Sequence, residues 1–359
     1  MLSIHRPAGA FGAGWYDSAT IGNEVLVVAQ YRVVRIGREN VPDVSEENKR
    51  LGPLGVEVVG ASITNADDTV AACKGADGVL NYGAHFPTDV INRLDDVWII
   101  VQASTGFDMI DDEAATACGI MVANLPFQCL NEVANSAFGY VLALNRRLAL
   151  ADRQVRAGGW DRAGFMPIGT IFGETLGLLS FGNIAKAVAR RAHAFDMKVI
   201  AHDPFVDQAV AKQFGVELVS LEDLFKRSDY ISCHVPHNRH THHLIGEAQF
   251  RLMKPTAFFI NTARGKVVDE PALVKALQEK WLAGAGLDVF EVEPLPDTSP
   301  LKQMDNVLLA PHLAGTSVGS AVNNRQQAID QMEEAIKSGS PSALVNKSVK
   351  SRRKVAVGA

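Results

Sequence analysis

The chain has 359 residues, of which 47% are hydrophobic and 21% charged, a globular composition with length for two domains. Its formal charge of −5 and pI near 6.1 exclude a general nucleic-acid binder, which carries a basic face. No run of about 18 apolar residues occurs, so neither a membrane span nor a membrane partner is expected, and residues 1–23 lack the apolar core of a signal peptide.

In chain order, strand-length apolar runs alternate with helix-period segments, the pattern of parallel sheets covered by helices. Glu24–Ala29 reads as the first strand, followed by Gly55–Val59, Gly78–Tyr82 and Val97–Gln102, with helices near 44–52, 67–75 and 87–93. Asn131 to Ala157 reads as one long helix, with Val133, Ala137, Val141 and Leu144 at three- and four-residue spacing. A Gly-rich loop from Gly158 to Gly173 ends it. A second α/β series follows: strand 176–180, helix 183–194, strand 198–201, and strands near 229–233, 257–261, 286–290 and 307–309. A last helix covers about 320–337. The basic cluster Lys347 to Lys354 reads as a solvated tail. Cys73, Cys118, Cys129 and Cys233 are scattered without a CxxC pair, which predicts reduced thiols and a cytoplasmic setting.

The segment from Leu176 to Ala185 sits where a strand gives way to a helix. A dinucleotide-binding turn needs small residues for close approach to a pyrophosphate and free N–H groups at the helix start. Its three glycine positions are filled here by Ser180, Gly182 and Ala185, with Asn183 and Ile184 opening the helix. Asp203, twenty-one residues past Gly182, ends the next strand. A carboxylate there accepts from ribose hydroxyls and repels a 2′-phosphate, which predicts NAD over NADP. The alternative role for Asp203 is to open the turn at Pro204.

Three polar residues, Arg264, Glu293 and His312, each follow an apolar strand or a tight turn. Ligands of doubly wound sheets gather outside the carboxyl ends of the strands, so these three are expected to share one cleft.

The run from Leu252 to Glu270, with Gly284 to Pro294 and Asn306 to Gly315, resembles the D-isomer-specific 2-hydroxyacid dehydrogenases. His234-Val-Pro236 and the stretch Thr105 to Asp111 fit as well, and the similarity spans roughly residues 24 to 340. The resemblance implies two Rossmann-like domains, with the cofactor domain (126–314) inserted into a flavodoxin-like substrate domain (1–125 and 315–359). It implies Arg264 as the substrate-orienting arginine, Glu293 as the partner of the histidine, and His312 as the acid/base. It also places Ser180, Gly182, Asn183, Ile184, Asp203, His234, Val235, Pro236, Thr262 and Asp288 at NAD. Ser104, Thr105 and Gly106 fall in the loop that offers backbone N–H groups to a substrate carboxylate. A homodimer built around the helix from Asn131 is a further implication.

The chemistry accounts for these residue types without the family. Reduction of a 2-keto acid leaves charge on the carbonyl oxygen, which a histidine near pH 7 can protonate. A neighbouring carboxylate keeps that histidine protonated, and an arginine can grip the substrate carboxylate and polarise the carbonyl. Family loops usually carry Gly where Ser104 stands, and Asn135-Ser136 replaces a common Glu-His pair. His237, His240, His242 and His243 read as a solvated loop rather than a metal site, since no Cys or carboxylate stands at ligand spacing. Two alternatives stay open: a dinucleotide-sensing regulator resembling the C-terminal-binding-protein corepressors, and a short-form 3-phosphoglycerate dehydrogenase.

Overall fold

The computed structural model describes residues 30–353 apart from residue 39, together with residues 20, 21, 24 and 25. Two compact units emerge: residues 104–108 and 125–327 form one, which interrupts in sequence a unit made of residues up to 103, 109–124 and 328 onward. No helix among the described residues is long and apolar enough to cross a membrane.

The first unit holds five parallel strands: β1 (Tyr31–Gly37), β2 (Val56–Ser62), β3 (Gly78–Asn81), β4 (Ile99–Gln102) and β5 (Met121–Ala123). Their spatial order is β2-β1-β3-β4-β5, the flavodoxin-like order. Strands β3 to β5 are buried at every position, as expected of parallel strands covered on both faces.

Glu24–Ala29 is not the sheet's first strand. Glu24 and Val25 pair antiparallel with Thr20 and Ile21, and residues 26–29 lie outside the described ones. The true first strand, YRVVRIG, is disguised by two arginines, of which Arg35 pairs with the buried Glu47 at 3.2 Å. Nor is 347–353 a solvated tail. Val345 N–H bonds Val122 O at 2.8 Å. Beyond it, Arg352 donates to the carbonyls of Val97 and Leu94 at 2.7 and 2.6 Å, and Arg353 to those of Ala335 and Ile336 at 2.7 and 2.6 Å.

The second unit holds seven parallel strands: β6 (Thr175–Leu179), β7 (Lys198–His202), β8 (Glu217–Leu218), β9 (Tyr230–Cys233), β10 (Phe258–Asn261), β11 (Gly284–Leu287) and β12 (Val307–Leu309). Their order is β8-β7-β6-β9-β10-β11-β12, a Rossmann arrangement with one added edge strand. One face packs on helices Leu130–Asn145 and Asn183–Ala194, the other on Leu221–Arg227 and Glu270–Gln278.

Asn131–Ala157 is two helices rather than one. The first ends at Asn145, and Leu148–Arg156 begins after Arg147, whose φ of 51° breaks the helical path. No Gly or Pro marks that break. Strand β11 ends at Leu287, three residues before the predicted end; Asp288 still donates its N–H to Asn261 O at 3.0 Å, while its carboxylate binds the turn after His312. Its glycines hid its start: a Cβ at Gly286 would fall 2.7 Å from the ring of Tyr140.

Candidate active site

Arg264, Glu293 and His312 follow β10, β11 and β12, three neighbours in the sheet, so adjacent strand ends deliver all three to one locality. Gly265 permits the close packing of the first two turns. A Cβ there would fall 1.9 Å from the backbone of Phe290. His312 Nδ1 pairs with Glu293 Oε2 at 2.7 Å, while Glu293 Oε1 accepts the Phe290 N–H at 3.0 Å. The glutamate is thereby fixed at both oxygens.

His312 has a φ of 51°, a left-handed conformation that costs a non-glycine residue about 1–2 kcal/mol. Its own N–H donates to Asp288 O at 2.8 Å. The N–H groups of Leu313 and Ala314 donate to the Asp288 carboxylate at 2.9 and 3.0 Å. Buried Asp288 therefore holds the turn that presents the imidazole.

The electrostatics follow. The Glu293 hydrogen bond raises the His312 pKa above its ordinary value, against partial burial and the repulsion of Arg264. Burial alone would raise Glu293, but His312 and the Phe290 N–H outweigh it and hold the carboxylate low. Both shifts favour a protonated imidazole beside an ionised carboxylate.

The loop Ser104–Asp108 lies against Arg264. A Cβ on Gly106 would sit 1.7 Å from Arg264 Nη2, so only glycine allows this approach. Ser104 Oγ donates to Gly106 O at 2.6 Å and Thr105 Oγ1 to Leu125 O at 2.9 Å, bracing the loop with its own hydroxyls.

The predicted cofactor residues gather after β6, β7, β9, β10 and β11. Ser180 has a φ of 73°, and Gly182 caps helix Asn183–Ala194 with no side chain bonding its first turn. Asn183 is exposed and Ile184 half-buried. Asp203 accepts from Phe181 N–H at 2.8 Å, Ser180 Oγ at 3.2 Å and Phe205 N–H at 2.9 Å. The carboxylate thus braces both the glycine loop and the turn at Pro204. His234, whose imidazole burial pushes down to about 4, bonds Ser232 Oγ at 3.0 Å. Val235 is buried and Pro236 exposed, while Thr262 is buried beyond β10.

A family model described as "D-isomer specific 2-hydroxyacid dehydrogenase, NAD binding domain" matches residues 138–314. A glyoxylate reductase of Korarchaeum cryptofilum is 44% identical over 254 residues, covering 70% of this chain and 76% of that protein. This chain belongs to the D-isomer-specific 2-hydroxyacid dehydrogenases. Like its relatives, this dehydrogenase is an oxidoreductase of 2-keto and 2-hydroxy acids that works with a nicotinamide dinucleotide. Among solved structures, an acyclic imino acid reductase in complex with NADPH and D-Arg has a TM-score of 0.78 and 27% identity, covering 88% of this chain and 99% of that one. A D-lactate dehydrogenase from Aquifex aeolicus complexed with NAD and lactic acid has a TM-score of 0.73 and 28% identity, covering 87% and 99%.

The residues of this dehydrogenase fit a dinucleotide. Thr262 Oγ1 is buried with no hydrogen-bond partner, a donor left for a group the chain does not supply. No atom lies within 4 Å of a Cβ placed on Gly182, so the loop is open to close approach beside the uncapped helix start. Where other members carry Glu-His, Asn135 accepts from Arg191 Nε at 2.8 Å, and Ser136 donates to Ala314 O at 3.2 Å. In the histidine loop His237 bonds His242 at 3.2 Å, while His243 reaches outside the loop to Glu291, in the turn after β11. Among the described residues no group of three or more His, Cys, Asp or Glu could hold a metal ion.

Sequence reasoning passed over Asp108. The residue lies inside the matching stretch Thr105 to Asp111, yet no local pattern marks it, because its partner Arg264 lies 156 positions away. Only the closing of the loop on β10 brings the two together.

Proposed function

We propose that this dehydrogenase interconverts a small 2-keto acid and its D-2-hydroxy acid with NAD, using His312 as the acid/base. The 2.7 Å pair between His312 Nδ1 and Glu293 Oε2, within electrostatic reach of Arg264, carries the reading. The bound dinucleotide supplies or accepts the hydride. In the reducing direction, Arg264 binds the substrate carboxylate and draws charge toward the carbonyl oxygen. Protonated His312 then delivers its Nε2 proton to that oxygen, and Glu293 stabilises the imidazolium beforehand. In the oxidising direction neutral His312 takes the hydroxyl proton. Ser104, Thr105 and Gly106 border the substrate carboxylate.

Ser180, Gly182, Asn183 and Ile184 hold the pyrophosphate, and Asp203 receives the ribose hydroxyls. His234, Val235, Pro236, Thr262 and Asp288 line the remainder. A carboxylate at 203 favours NAD, although two relatives by structure were solved with NADPH or NADP. Residues 126–314 form the cofactor domain, and residues 1–125 and 315–359 the substrate domain. A cytoplasmic setting accords with four free thiols, of which burial pushes Cys73 and Cys233 up to about 12. A homodimer accords with exposed Leu148, Val155, Trp160, Met166 and Phe172, just beyond the helix whose apolar face is buried within the subunit.

The test is a panel of 2-keto acids assayed with NADH and NADPH, on the native chain and His312→Gln. The variant should lose on the order of 10²- to 10⁴-fold in turnover while NADH affinity stays nearly constant. Native reduction should decline as pH rises through the His312 pKa, which lies above the ordinary 6.5. Equal loss of turnover and NADH binding would sink the assignment. Dinucleotide binding without turnover on any keto acid would favour a regulator instead.

A further inference from the structure

Arg264 is immobilised on several sides. Its Nε donates to Asp108 Oδ1 at 2.8 Å, and its Nη1 to Ala263 O at 2.8 Å. Gly106 backs directly onto Nη2. A guanidinium has five N–H donors in a rigid fork. Two are engaged by the protein, so three remain, divided between Nη1 and Nη2, the pair of nitrogens able to grip a carboxylate. Without an anchor at Nε the side chain could turn about its own long axis and lose that presentation.

We propose that Asp108 is a positioning residue, whose carboxylate fixes Arg264 through Nε and so aims the guanidinium fork at the substrate. The proposal rests on the role given to Arg264 above. Asp108 and Arg264 are 29% and 28% exposed at their side chains, so the pair is sheltered but not sealed from solvent. Asp108 is also a counter-charge. Burial would raise its pKa, but Arg264 outweighs this and keeps it ionised, with His237 as the other titratable neighbour. His237 in turn faces His242 and Lys266. Around His312 stand Glu293, Asp288 and Arg264, and of these Arg264 opposes protonation. Neutralising Asp108 leaves the Arg264 charge uncompensated, so the His312 pKa should fall.

Asp108→Asn and Asp108→Glu in the full chain test this. For Asp108→Asn, kcat for keto-acid reduction should drop on the order of 10- to 100-fold, as expected of a displaced orienting group. KM for the anionic substrate should not rise, because a competing negative charge has gone. The alkaline limb of the pH profile should move to lower pH. NMR titration of His312 in the folded protein without substrate should show the same downward shift, whether or not a keto acid is turned over. A raised KM with unchanged kcat, or an unmoved His312 titration, would overturn the proposal. If Asp108→Asn fails to fold, Asp108→Glu decides: its charge should leave the His312 titration in place while its extra methylene lowers kcat, and an unchanged kcat overturns the idea. Failure of the native chain to reduce any 2-keto acid would instead remove the proposed function, with the His312 titration still judging Asp108.

Discussion

Ser180 stands where dinucleotide loops ordinarily carry glycine, and its φ of 73° gives the reason glycine is preferred. The serine meets that cost with a hydroxyl bonded to Asp203, whose carboxylate also takes the Phe181 N–H. The departure from glycine is thus part of a small network. Asp203 braces the loop, and under the proposed function it also receives the ribose. Asp203→Ala should weaken NADH binding on the order of tenfold or more, by loss of charge-assisted hydrogen bonds worth about 1.5–3 kcal/mol each. NADPH binding should suffer less, because the repulsion of a 2′-phosphate disappears with the carboxylate. Fluorescence titration with both dinucleotides measures this. Equal losses would mean that Asp203 serves the loop alone.

At the scale of elements, the proposed catalysis depends on how neighbouring strand ends are packed. The turn after β10, carrying Arg264, is pressed onto the turn after β11, carrying Glu293, at Gly265. Gly265→Ala places a methyl group 1.9 Å from backbone atoms of Phe290, which no side-chain rotation relieves. The variant should lose about 1–3 kcal/mol of stability by overpacking. Its turnover should fall further than its stability explains, since Arg264 and Glu293 are pushed apart. Urea unfolding with parallel assays checks both, and full activity in a destabilised variant would count against this coupling. The same scale explains two misread elements. Helical periodicity runs unbroken across Arg146 and Arg147, yet the chain turns there. Strand β11 carries glycines because Tyr140 crowds Gly286 and the Asn306 carbonyl crowds Gly284, so hydrophobicity understates it.

For the whole molecule, the first unit is completed by the chain's last described segment. The antiparallel bridge between Ala123 and Leu344, the Val345–Val122 bond and Arg352 tie this segment to residues 94–123, laid down much earlier in sequence, while Arg353 binds the nearby carbonyls of Ala335 and Ile336. Arg353 also lies over the Trp98 and Tyr31 rings, at 5.0 and 5.7 Å. Deleting residues 352–359 removes four hydrogen bonds from guanidinium groups to backbone carbonyls. Stability should fall by about 2–4 kcal/mol, read as a lower urea midpoint. A midpoint unchanged by the deletion would restore the view of this segment as a solvated tail.

The fold class was legible in the sequence because buried parallel strands must be apolar runs and their covering helices must show a 3.6-residue period. That Arg264, Glu293 and His312 come to one locality was legible for a related reason: each follows one of three apolar strands, and the carboxyl ends of parallel neighbours lie at one edge of the sheet. Contacts between distant segments were not written in any local pattern. Asp108 and Arg264, Asp288 and the His312 turn, and Arg352 and the Val97 carbonyl are each set by where separate elements come to rest. Sequence periodicity reports which face of an element is buried. The tertiary structure alone decides what that face meets, and here it decided how the three polar strand ends are held.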